Sequence, residues 1–137
     1  MNLLEVGVTR RDGNRVTVAS PNLAPTDFEM RDPGGSAASK LVIGLRPQVM
    51  QVVEAGQGRM PARVAIVEHL GDETVVSARL VDGTSVLLAM SGDAALASGH
   101  AIGIDFDPAR ALVFLPSGPR IETFAPVPAE PLSGPAT

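Results

Sequence analysis

The residues able to do chemistry are few, and their spacing builds no complete set. The lone lysine closes the segment Gly35-Ser36-Ala37-Ala38-Ser39-Lys40-Leu41. A phosphate-binding loop needs Gly just before that Lys and a hydroxyl just after it. Ser39 and Leu41 hold those two places, so the segment reads as a loop entering a strand. His69 and His100 are the two histidines and lie far apart. Two imidazoles make no zinc site without further ligands, even with Glu68, Asp72 or Glu73 beside His69. They read as strand-end side chains in water. Carboxylates gather as Glu68/Asp72/Glu73 and as Asp105/Asp107. Paired carboxylates can serve acid–base chemistry or calcium, but Asp105-x-Asp107 ahead of Pro108 is too few for a calcium cage. Both groups read as solvated turn residues. The serines sit in turn-like segments, with no nucleophile elbow. The expectation is no catalytic residue, no metal site and no cofactor held by this chain.

Composition narrows the classes further. The chain has 137 residues, enough for one domain or one domain with a tail. Cysteine is absent, which rules out disulfides and Cys-ligated zinc. Lys and Arg number 11 against 15 Asp and Glu, a net charge of −4, and Trp and Tyr are absent. Nucleic acid is therefore not an expected partner, because phosphate contacts want clustered cations and base stacking wants aromatics. Apolar runs such as Val86–Met90 fall far short of the roughly 20 residues that span a bilayer. Met1–Leu4 meets Glu5 before any apolar stretch develops, so no signal peptide is expected, and the expected compartment is cytoplasmic.

The elements that must position these residues are strands. Arg15–Ala19, Arg63–Val67, Thr74–Leu80 and Ala101–Phe106 alternate with period two and are rich in Val and Ile. Asp12-Gly13 and Asp82-Gly83 lie between such runs, where a hairpin turn needs positive φ. Eight short strands are predicted: 5–11, 14–20, 41–45, 62–69, 73–81, 84–90, 100–106 and 111–115. Pro47–Val53 could form one helical turn, with Pro47 at its first position. Gly92–Ser98 could form another. Residues 32–39 read as a mobile loop. From Ala125 onward four prolines predict an extended or disordered tail. The division expected is 1–124 as the domain and 125–137 as the tail. The predicted class is all-β, a small barrel or sandwich of about eight short strands with one or two short helical turns.

Three polar segments interrupt the apolar strands: Gly44-Leu45-Arg46-Pro47, Glu68-His69-Leu70-Gly71-Asp72-Glu73-Thr74 and Phe106-Asp107-Pro108. Ile43–Gln48 resembles the Gly-Ile-Arg-Pro-Glu segment of the C-terminal regulatory domain of bacterial carbohydrate-type ABC importer ATP-binding subunits, the transport-associated OB-like (TOBE) domain. Val64–Thr74 is similar to that family's Val-x-x-Val-Glu-x-Leu-Gly-x-Glu segment. Gly99 through Pro108, then Val113-Phe114 and Ser117-Gly118, resembles its closing strands. Met1–Leu4 looks like the junction with a preceding ATPase domain. The resemblance covers about residues 1–122. Gln48 stands where the family usually has Glu, and Leu112 and Leu115 where it often has His and Asp. The ATPase motifs have no counterpart here.

The resemblance implies an OB-like fold and a regulatory, dimerising role, in an excised part or a separate product. The parent subunit would import sugars, polyols or glycerol phosphates, with ATP and Mg belonging to its ATPase domain. Implied partners are a second copy, the ATPase domain, the membrane permease subunits and, in some members, a regulatory protein. Implied location is the cytoplasmic face of the membrane. The candidate docking or pairing surface is Arg46, Pro47, Glu68, His69, Gly71, Asp72 and Glu73, with Arg46 available to pair Glu68 or Glu73. A second reading is a small-oxyanion binder. Val76-Ser77-Ala78-Arg79 partly resembles a Ser-Ala-Arg-Asn segment of molybdate-binding OB-like modules, with Leu80 in place of the Asn.

Overall fold

Alternating β-branched residues and glycine turns lay the chain down as antiparallel strands. The computed structural model describes residues 1–29, 39–92, 95–116 and the backbone of 120–121. Of the expected loop at 32–39 only Ser39 is among those residues, and the tail from Ala125 and its boundary lie outside them. In chain order the strands begin with β1 (Asn2–Asp12), β2 (Arg15–Ser20), β3 (Leu23–Glu29) and β4 (Lys40–Leu45). A 3-10 turn at Pro47–Val49 leads into β5 (Met50–Val53), β6 (Met60–Leu70), β7 (Glu73–Leu80), β8 (Ser85–Ser91) and β9 (Ala101–Phe106). A second 3-10 turn at Pro108–Arg110 precedes β10 (Leu112–Phe114) and β11 (Arg120–Ile121).

The all-β expectation holds, and the described residues form three more strands than the eight predicted. β3 carries no strand signal in the sequence because Pro25 and Asp27 break its apolar pattern. It lies at a sheet edge, where a missing N–H is tolerated. β5 was expected to be helical. Pro47 does open a helical turn, but only three residues long, and the stiff Val52-Val53 pair then runs extended. β11 is only two residues long. Of the other expected helical turn, Gly92–Ser98, the described residues 95–98 form no helix. Among the described residues no helix is long and apolar enough to cross a membrane.

Two antiparallel sheets result. One runs β11-β10-β4-β1-β2-β3 and the other β5-β9-β6-β7-β8. In the second sheet the two edge strands, β5 and β8, come close to each other, which curls it toward a barrel. One apolar core joins the sheets. Val16, Val18, Ile43 and Leu45 from the first meet Met60, Val76, Leu88 and Ile104 from the second, all at 0% exposure. Burying a side chain of this size stabilises by roughly 1.5–3 kcal/mol.

Polar ties fix the relation between the sheets. The Asn2 amide donates to Leu45 O (3.1 Å) and Leu87 O (2.9 Å) and accepts from Leu87 N (2.9 Å). It thus satisfies backbone groups on the free edge of β8. The Asn22 side chain accepts from Asp82 N (3.0 Å) in the β7–β8 turn. In that turn Thr84 donates to the Asp82 carboxylate, chiefly through its hydroxyl and also through its backbone N–H (2.9 Å), holding the carboxyl below the ordinary aspartate pKa. A depressed carboxyl contributes stability above its unfolded pKa and loses it as pH falls through the folded value. Carboxyl NMR should find Asp82 titrating below ordinary aspartates, and Thr84→Ala should move the midpoint upward. An unmoved midpoint would remove Thr84 as the cause.

Candidate functional site

The first polar corner is built by the exit of β4. Leu45 is fully buried and anchors the strand end, Arg46 stays extended (φ −71°, ψ 148°), and Pro47 starts the 3-10 turn. Val49 N donates to Arg46 O at 2.9 Å, closing it. Arg46 itself is exposed and pairs with neither Glu68 nor Glu73. The expected contact fails because Arg46 leaves the first sheet at the end of β4, whereas Glu68 and Glu73 lie on β6 and β7 of the second sheet. Among the described residues the ion pair is Arg59–Asp105.

The second corner is the β6–β7 hairpin. Leu70 pairs with Glu73, so Gly71 and Asp72 form a two-residue turn, and Gly71 has φ +72°. Such turns require positive φ, which glycine adopts without steric cost. Glu68, His69 and Leu70 are thus strand residues, not turn residues. The hairpin is tied to the end of β8: Gly92 N donates to Asp72 O (2.7 Å), and the Thr74 hydroxyl donates to Gly92 O (2.6 Å). Thr74 is completely buried, and its hydroxyl also lies 3.4 Å from His69 Nδ1.

One groove borders the edge of each corner, through Gln48 next to Pro47 and through Glu73. A cavity of about 380 Å³ lies at the seam of β5 and β8, with Gln48, Met50, Gln51 and Val52 on one side and Glu73, Ala89, Met90 and Ser91 on the other. Pro47 immediately precedes that lining, and Glu73 is part of it. Arg46, Glu68, His69, Gly71 and Asp72 are not among the lining residues. Among the described lining residues Glu73 is the one charged side chain. The apolar Met50, Val52 and Met90 with the amides of Gln48 and Gln51 suit contact with a protein surface better than bond-making chemistry.

The remaining chemical residues have structural posts. Arg59 pairs with Asp105, donates to Phe106 O (2.8 Å) and lies 5.4 Å from the centre of the Phe106 ring. Sequence reading placed Asp105 in a solvated turn. It lies instead on β9, half-buried, and its partner is 46 residues away, so no local signal announces the pair. Asp107 accepts from Ala109 N (3.0 Å) and caps the second 3-10 turn. His100 Nδ1 accepts from Ala97 N (3.2 Å). Among the described residues, no three His, Cys, Asp or Glu side chains gather to hold a metal ion.

Residues 43–114 match the family described as the TOBE domain. This chain belongs to the TOBE family. The matched stretch of this TOBE chain contains both corners, the groove and the entire five-stranded sheet. No curated protein matches the chain. Among solved structures, it is similar to the cytoplasmic molybdate-binding protein ModG in a form with molybdate bound. That likeness has a TM-score of 0.68 at 11% identity and covers 84% of this chain and 96% of ModG. At that identity it speaks for the fold.

Proposed function

We propose that this TOBE chain is a regulatory and dimerisation module of the ATP-binding subunit of a bacterial importer of sugars, polyols or glycerol phosphates. The observation that carries the reading is the family match across 43–114, which holds both sequence corners and the groove. The module hydrolyses no ATP itself. It pairs with a second copy and keeps two ATPase domains at high effective concentration when nucleotide does not bridge them. The permease sets the solute, and the assembly sits at the inner face of the membrane.

The likeness to ModG favours a second reading, a small-oxyanion module. The chemistry of this chain supports it less. Among the described residues no cation lines the groove, and Glu73 would repel an anion there. Ser77, Ala78 and Arg79 lie on β7, with ladders to β6 on one side and β8 on the other. Their amides are committed to the sheet and are not free to cradle an oxyanion.

Two measurements on the whole chain separate the readings. Sedimentation equilibrium should show reversible self-association, and calorimetric titration with molybdate should show no stoichiometric heat. Tight molybdate binding would replace the first reading with the second. A strict monomer would remove the dimerisation role.

A further inference from the structure

We propose that a second copy of this chain packs against the outer face of the five-stranded sheet, in the single two-fold orientation that the charges on that face permit. The inference rests on the self-association proposed above and adds which face pairs and how it is aligned.

A bulge points to the face. The pairing of β6 with β7 shifts register between Val64 and Ile66. Val64 is 2% exposed and points inward. In a regular strand Ile66, two residues on, would point inward as well. The extra residue turns Ile66 to the outside, where it is 59% exposed. Across the sheet Ile66 pairs with Ser77, which pairs with Leu87, itself 47% exposed. Further along β6, Leu70 is 58% exposed. Scattered exposed apolar residues are ordinary. A bulge that directs an isoleucine into solvent, in the same cross-strand row as an exposed leucine, marks a contact surface.

Charge then selects the partner. At one end of this face Arg63 sits directly opposite Arg79. Like charges opposed across strands repel. At the other end Glu68 and Glu73 lie in adjacent rows, because Glu68 pairs with Val75 and Leu70 with Glu73. None of these four side chains forms an ion pair within the described chain. Arg63 donates to Gly99 O (2.7 Å), which leaves its charge uncompensated. The face therefore carries two cations at one end, two anions at the other and an apolar middle. A two-fold axis perpendicular to the strands lays the arginine end of one copy on the glutamate end of the other and brings the apolar rows together. An axis along the strands stacks arginine on arginine. Equal and opposite ends make the surface complementary to itself, as an isologous contact requires.

The test is analytical ultracentrifugation of four whole-chain versions at low and high salt, with thermal melts to verify folding. R63E/R79E and E68R/E73R each make the face one sign, and each should weaken self-association at least tenfold. The combined variant R63E/R79E/E68R/E73R restores opposite ends and should recover it, with the salt sensitivity of the native chain. If the native chain dimerises and neither double variant changes that, this face is overturned while self-association stands. If both double variants weaken it and the combined variant fails to recover, the orientation is overturned. If the native chain is monomeric at every concentration, both the face and the self-association reading fail.

Discussion

Gly103→Ala should lower stability by about 3 kcal/mol, the upper range for forcing an atom into packed structure. For a chain of this length that is a fall in melting temperature of roughly 10 °C. Gly103 sits on β9 with β5 on one side and β6 on the other. The loop between those strands folds over it. A Cβ there would meet the backbone oxygens of Gln57 and Glu54, the latter at 2.8 Å, and Val53 Cγ2 at 2.9 Å. Backbone oxygens cannot swing aside as a side-chain tip can. The loop is also pinned, by Gln57 N to Glu54 O (3.0 Å) and Arg59 N to Ile104 O (3.0 Å). Relief would require moving β5, and with it one wall of the groove. Gly13→Ala is the control: it has open space around its Cβ and only a positive φ to oppose it, so it should cost about 1 kcal/mol. Paired thermal and urea melts check both. Equal small losses would show that the loop lifts freely from β9.

Ile43→Ala should cost about 3 kcal/mol, within the range for deleting a buried aliphatic side chain and leaving a cavity. Ile43 has no exposed surface, and its register partners are Leu4 on β1 and Val113 on β10. All three are buried at the centre of the six-stranded sheet. Strands hold both flanks of β4, so the site cannot collapse to fill the void. Ile43→Val removes one methyl and should cost about 1 kcal/mol. Urea unfolding with an unchanged m-value would assign the loss to the native core. A loss below about 1 kcal/mol for the alanine variant would mean that the sheets close over the gap.

These two positions show what local pattern can and cannot convey. Ile43 lies in the apolar run Leu41–Leu45 that reads as a strand, and the structure buries Leu41, Ile43 and Leu45. Gly103 sits in a clear alternation, Ala101–Phe106, yet nothing local says that a distant loop must cross it. Thr74 is similar. It reads as an ordinary strand residue, but its burial and its bond to Gly92 depend on where β8 ends. Arg59 and Asp105 were invisible as a pair because antiparallel pairing of strands far apart in the chain brings them together.

From residue order alone came the all-β class, eight of the strands (β1, β2, β4 and β6–β10), the glycine turns and the two corners at Arg46-Pro47 and Glu68–Glu73. Those features depend on alternation and φ preference, which act over a few residues. Tertiary structure decided the rest: β3 and β5 as edge strands, the groove between β5 and β8, the lack of an Arg46–glutamate pair, and the outward turn of Ile66. Each depends on which strand lies beside which, and in what register. A one-residue shift in that register exchanges the buried and exposed faces of a strand.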